Sequence, residues 1–286
     1  MQSIKNPLIS VIMSCHNSIP EQLKESIESI LNQSYSNFEL LVADNGESFN
    51  LKHFLDNFKD SRIKYIKNNP IMHPATSYDT LALLSKGIYV AIQDHDDISL
   101  PDRLQVEKEE LDSNPSIQSL SSKIRMFGLI NKDDGIAMEP EKVKQELLFS
   151  QPIKQPTFMK RKEFCNKYKY DSNWAIYDFE FWSRTRNIPH KIIDKILLKY
   201  RKDRGNSGKE RFENIRKEHC LIVQRNMKEL GLYFPIELCK MLDPFNHNKF
   251  NSNYVKIFKN SKDILLKHID ELLFNRKLKE IESKVV

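Results

Sequence analysis

Residues 88–97 read Ile-Tyr-Val-Ala-Ile-Gln-Asp-His-Asp-Asp, an apolar run that passes directly into three carboxylates, Asp94, Asp96 and Asp97. Like charges this close repel, and each raises its neighbours' pKa unless a cation neutralises them. An all-oxygen cluster suits Mg²⁺ or Mn²⁺, which keep one or two protein carboxylates and fill their shell with phosphate oxygens and water. The chemistry on offer is therefore a metal–phosphate site; the plainer possibility is an acidic turn before the helix that follows Pro101. A second acidic group lies in Tyr177-Asp178-Phe179-Glu180-Phe181-Trp182. Carboxylates set among aromatics lose hydration and gain basicity, as a general base requires. The plainer possibility there is the exposed acidic face of an aromatic-packed helix.

Both groups need elements to hold them. Residues 8–13 form a β-rich run, and Pro20 then opens a helix whose apolar positions Leu23, Ile27, Ile30 and Leu31 share one face. Residues 38–43 make a second strand that ends in Asp44-Asn45-Gly46, a turn sequence. A helix near 49–58, a strand at 62–66, a helix near 75–86 and a strand at 88–92 continue the alternation. This order predicts right-handed βαβ units in a mostly parallel, doubly wound α/β sheet. Asp44 and the 94–97 cluster then fall on the same carboxyl edge, where such sheets bind ligands. Further on, the pattern predicts a helix to about 113, one or two strands in 117–130, a loop at 131–135 and a short helix at 140–149. A strand at 156–160, a helix at 177–187 and a strand at 192–200 follow. From 210 the periodicity is helical, over 210–230 and 254–283.

At 286 residues the chain can bury a full core. The net charge of +6 is concentrated in residues 201–286, which carry 19 Lys and Arg against 12 Asp and Glu, so an anionic partner for that segment is expected. The basic residues are scattered, and no nucleic acid is expected as a partner. Cys15, Cys165, Cys220 and Cys239 show no zinc or disulfide spacing. No secretory leader and no stretch near the ~18–20 apolar residues of a membrane span is seen, which predicts a cytoplasmic protein.

The string from Leu8 to Arg103 resembles the amino-terminal half of family 2 glycosyltransferases, which carry the GT-A (Rossmann-like) fold. The matching pieces occur in order: Ile9-Ser10-Val11-Ile12-Met13 with Asn17, Glu25 to Tyr35, Ala43-Asp44-Asn45-Gly46, and Gly87-Ile88-Tyr89-Val90 leading to Asp94-His95-Asp96-Asp97. A looser likeness continues through Asp178 to Tyr200-Arg201. It implies a GT-A domain over 1–209, with a nucleotide-binding half at 1–100 and an acceptor half at 101–209, followed by a helical extension at 210–286.

The resemblance also implies roles. Ser14, Cys15 and His16 would line the base, Asp44 would accept a base N–H, Asp94 would contact the ribose, and Asp96 would hold Mn²⁺ or Mg²⁺. Asp178 matches the family's base in an inverting displacement, with Glu180 as its reserve. Two departures stand out. Tyr78-Asp79 replaces the family's frequent Arg-Asn, and Tyr200-Arg201-Lys202-Asp203 replaces Tyr-Arg-x-His. Asp203 could substitute for the His as an oxygen ligand, and Arg201, Lys202 and Arg204 could close over the phosphates. The expected partners are a UDP-sugar donor and a glycan or lipid-linked glycan acceptor, with 210–286 offering peripheral contact with the inner membrane surface. The rivals are a phosphatase of the haloacid dehalogenase type and a non-catalytic glycan-binding relative.

Overall fold

The structure, a computed structural model, describes residues 8–203, 209–243, 246 and 248–285. The strands are β1 Ile9–Cys15, β2 Phe38–Asp44, β3 Ile63–Lys67, β4 Tyr89–Ile92, β5 Ile98–Ser99, β6 Ser119–Gly128, β7 Lys132–Asp134, β8 Met159–Arg161 and β9 His190–Lys202. The helices are α1 Pro20–Leu31, α2 Leu51–Asp56, α3 Pro74–Leu84, α4 Arg103–Ser113, α5 Pro140–Glu146, α6 Lys162–Lys167 and α7 Tyr177–Arg184. They continue as α8 Lys209–Glu229, α9 Ile236–Leu242, α10 Asn253–Asn260, α11 Lys262–Leu265 and α12 Glu271–Glu282.

All described strands join one sheet in the order β3-β2-β1-β4-β8-β6-β9-β5, with β7 paired to β6. The first four are parallel, as the βαβ pattern predicts. Beyond β4 the sheet is mixed, because β8 runs antiparallel to both β4 and β6 while β6 and β9 are parallel. Every residue of β2 and β4, and all but Ser14 of β1, is buried, as befits central strands covered on both faces. The spacing of Leu23, Ile27 and Ile30 lays one face of α1 into the core they share with Val11, Met13 and Leu40. Gly87 enters β4 where nothing larger fits: a Cβ there would stand 2.6 Å from the Ser10 amide nitrogen and 2.7 Å from the Leu8 carbonyl oxygen.

The chain divides into two compact units. The first comprises Met1–Pro140, Ile153–Ser172 and Ile188–Arg204; the second comprises Glu141–Pro152, Asn173–Asn187 and Gly205–Val286. Two stretches that the sequence pattern groups with the amino-terminal domain thus belong with the carboxyl-terminal helices. Other differences are local. The expected loop at 131–135 contains β7, because Gly128 adopts a φ of +97° and lets β6 turn back into a hairpin. The expected helix over 254–283 is three helices, the last restarted by the Asp270 side chain, which accepts the Leu273 amide.

One buried assembly fixes the strand-to-turn junction after β4. Arg103, fully buried, donates to the Ile92 carbonyl at 2.7 Å, to Gln93 Oε1 at 3.1 Å and to Ser99 Oγ at 3.0 Å, and pairs with buried Glu107 at 3.1 Å. Gln93 in turn donates to the Asp97 carbonyl at 2.8 Å and to Ser26 Oγ at 2.9 Å. Burial pushes the Glu107 carboxyl up to about 7 against the pull of Arg103, so a buried acid is held there at the cost of hydration. Removing the cation strands that acid. Arg103→Met is expected to cost about 3–5 kcal/mol in urea unfolding, and Arg103→Met with Glu107→Met should recover part of the loss. A single variant that melts like the parent would show that the assembly does not hold the junction.

Candidate active site

The acidic turn sorts its three carboxylates into different surroundings. Asp94 accepts the Tyr78 hydroxyl at 2.7 Å, and its backbone carbonyl accepts Ser26 Oγ at 2.8 Å. Desolvation, reinforced by the charge of Asp96, raises its carboxyl above the usual range while the Tyr78 bond opposes the rise. Asp97 is fully buried and accepts the Arg201 amide at 2.8 Å through one oxygen. Desolvation and the charges of Asp94 and Asp96 push it well up. Asp96 is half-buried, and no donor among the described residues reaches its carboxylate; only its backbone carbonyl is engaged, by Arg201 Nε at 2.8 Å. Tyr78, which stands where an Arg is frequent, therefore supports the turn directly, and Asp79 accepts the Tyr170 amide at 2.9 Å.

The same carboxyl edge carries the residues expected to meet a base. Cys15 is opposite Asp44 in the β1–β2 register. The Asp44 carboxylate is nearly saturated: Oδ1 accepts the Gly46 and Glu47 amides at 3.2 and 3.1 Å, and Oδ2 accepts the Tyr65 hydroxyl at 3.0 Å and Lys67 Nζ at 2.8 Å. Desolvation works against ionisation here, but these donors outweigh it and hold the carboxyl below its usual range. Lys67 is 60% exposed, so it is the donor that can yield its place to a ligand N–H. His16 is exposed yet oriented. Its Nδ1 lies 2.8 Å from the Asn45 carbonyl, which can only accept, so Nδ1 carries the proton and Nε2 accepts the Asn17 amide at 3.0 Å. The result is a flat ring held in place at the edge. Gly46 adopts a φ of +98°, a left-handed conformation that a residue with a side chain takes only under strain. Ser14 meets Ser77 Oγ at 2.7 Å, whereas the Cys15 side chain is core and gives the edge only its carbonyl, which accepts the Asn45 amide.

At the end of β9, Arg201 is bound in place. Besides its two bonds to the acidic turn it pairs with Glu25, and its guanidinium lies 4.5 Å from the Phe127 ring centre. Lys202 lies over the Tyr200 ring at 4.7 Å. Exposed Asp203 accepts Gln22 Nε2 at 2.7 Å, and Arg204 falls outside the described residues. No cluster of three or more His, Cys, Asp or Glu side chains forms a ready-made metal cage among the described residues. A hard divalent ion bound through one or two carboxylates and substrate phosphates needs no such cage. The unengaged Asp96 carboxylate suits that role, and one Asp97 oxygen and His95 Nδ1 are buried beside it without a partner.

The second acidic group lies in the other unit. Asp178, in the first turn of α7, accepts Gln151 Nε2 at 2.9 Å, and desolvation raises its carboxyl above the ordinary range despite that bond. Glu180 is buried between two guanidinium groups, Arg184 at 3.0 Å and Arg225 at 2.8 Å. Of the two, Asp178 is the carboxylate not tied up by cations. Trp182 is fully buried core, packed edge-on against Phe181.

The supporting residues Gln93, Arg103 and Gln151 do not emerge from motif reading. One signal was available for Arg103: a cation in the first turn of a helix is disfavoured by the macrodipole, so its presence there asks for a tertiary partner.

Comparison with known proteins places this geometry. The model of the glycosyl transferase family 2 matches residues 10–181. The chain is 34% identical to an uncharacterised glycosyltransferase of Methanocaldococcus jannaschii over 68% of its own length and 71% of the relative's. It is 26% identical, over 74% of its length and 83% of the relative's, to the UDP-Glc:alpha-D-GlcNAc-diphosphoundecaprenol beta-1,3-glucosyltransferase of Escherichia coli. Among solved structures it resembles S. aureus TarS in complex with UDP-GlcNAc, with a TM-score of 0.61 at 12% identity over 96% of this chain and 88% of that one. A mannosyltransferase of Pyrobaculum calidifontis in complex with GDP-Man and Mn²⁺ follows, with a TM-score of 0.56 at 12% identity over 98% and 86%. The fold is GT-A, and with a family model covering more than half of its length the chain belongs to glycosyltransferase family 2.

Proposed function

We propose that this glycosyltransferase is a metal-dependent, inverting enzyme that moves a sugar from a UDP-type donor to a hydroxyl of a lipid-linked or cell-surface glycan. The observation that carries the proposal is the Asp96 carboxylate, without a protein donor among the described residues while both acidic neighbours are engaged. A bound Mn²⁺ or Mg²⁺ would offset the negative charge that grows on the departing diphosphate. The support for the partners is comparative: the E. coli relative is named for a UDP-glucose donor and a diphosphoundecaprenol acceptor, and the S. aureus neighbour holds UDP-GlcNAc.

The chain's own residues divide the work. His16 presents its ring for the base to stack on, and Asp44 accepts a base N–H in place of Lys67. Asp94, oriented by Tyr78, faces the ribose, and Asp96 would hold the ion. Asp178 removes the acceptor hydroxyl proton, since its reduced hydration makes it a stronger base than an exposed carboxylate. Lys202 contributes positive charge for the phosphates, and Arg201 keeps the acidic turn in shape.

Three outcomes test these roles. Asp96→Ala should abolish both turnover and the Mn²⁺-dependent thermal stabilisation by UDP; stabilisation equal to the parent's would remove the metal ligand from the scheme. Asp178→Asn should keep that stabilisation and lose turnover by about 10²–10⁴-fold, and near-normal transfer would reject it as the base. Because burial raises the Asp178 carboxyl, the acidic limb of the pH–rate profile should fall above the ordinary aspartate range, with activity rising as the group ionises. A limb at or below that range would contradict the assignment.

A further inference from the structure

The β6–β7 hairpin carries a feature that sugar transfer does not use. Its tip is Leu129-Ile130, two large apolar side chains that are 58% and 45% exposed. Two exposed lysines, Lys132 and Lys199, lie near that end of the sheet. Other charges nearby are already matched, Arg125 with Asp133 at 2.7 Å and Lys154 with Asp134 at 2.7 Å. Lys132 and Lys199 have no carboxylate partner among the described residues. A cavity of about 510 Å³ is lined by Ile98, Met126, Phe127, Lys132 and Lys199 among others. The tip is also anchored beside the acidic turn. Gly128 is in register with Lys202, the Leu129 amide donates to the Lys202 carbonyl at 2.9 Å, and the preceding Arg201 amide binds Asp97.

We propose that this hairpin is a membrane-docking element whose occupant is the surface of an anionic phospholipid bilayer. An apolar pair flanked by uncompensated cations is the pattern of an interfacial contact: the side chains enter the acyl boundary while the lysines meet lipid phosphates. Among the described residues no helix is long and apolar enough to cross a membrane, so such an attachment is peripheral. The hairpin would bring the donor edge to the bilayer, and that purpose rests on the reading of a lipid-linked acceptor given above.

The test is co-sedimentation of the full chain with phosphatidylglycerol–phosphatidylcholine vesicles and with phosphatidylcholine vesicles, at low and high salt. The parent should bind the anionic vesicles, and salt should weaken that binding. Leu129→Asp with Ile130→Asp should lose it by more than tenfold. Lys132→Glu with Lys199→Glu should weaken it by at least about fivefold per lysine. Both double variants should keep the parent's melting temperature and metal-dependent donor hydrolysis. Parent protein that ignores anionic vesicles, or variants that bind as the parent does, would overturn the proposal; the latter result would move the contact to the carboxyl-terminal helices. The lysine pair keeps the test decisive if the aspartate pair misfolds. Vesicle binding needs no turnover, so a parent without donor hydrolysis would strike the proposed function and leave the docking result standing.

Discussion

The guanidinium of Arg103 is the interaction on which the rest of the active edge depends. It sits without solvent contact beneath the end of β4 and reaches the last strand carbonyl, Gln93, Ser99 and Glu107. A buried cation is tolerated only when its donors are satisfied, so each of these groups is drawn to a defined place. Gln93 passes that constraint on to the Asp97 carbonyl and to Ser26 of α1. The acidic turn is therefore held from below by a buried polar assembly, to which Tyr78 and Arg201 add bonds from the side.

That support lets three adjacent carboxylates differ. Asp97 faces inward and braces β9 through the Arg201 amide; Asp94 is turned by Tyr78; Asp96 faces neither. Donors reach the outer two without removing the repulsion, since neighbouring charge raises both carboxyls, and the middle one has no donor among the described residues. The same logic separates the acids of α7. Glu180 is paired with two arginines, whereas Asp178 meets the Gln151 amide and no cation. In both places the chemistry of a carboxylate is decided by which neighbours reach it.

Arg201 illustrates how the family pattern and the local geometry can diverge in emphasis. Its position beside Lys202 suggests a mobile phosphate contact, yet it is bonded to the acidic turn, paired with Glu25 and laid against Phe127. Among the described residues, the exposed positive charge near the apolar tip of the β6–β7 hairpin that no carboxylate matches lies on Lys132 and Lys199.

The sequence by itself determined the parallel half of the sheet. The mostly apolar β1, β2 and β4 and the amphipathic α1 are local patterns, and right-handed crossovers leave one way to join them. It also placed Asp44 and the 94–97 cluster on one edge, because each follows the end of a strand. The tertiary structure decided the rest. The antiparallel β8, the β7 hairpin and the assignment of Glu141–Pro152 and Asn173–Asn187 to the second unit depend on partners distant in the chain. So do Tyr78 on Asp94, Gln151 on Asp178 and Arg103 under the turn. The physical reason is range: periodicity records which face of an element is buried, but the donor that reaches a given oxygen comes from wherever packing brings another segment within about 3 Å.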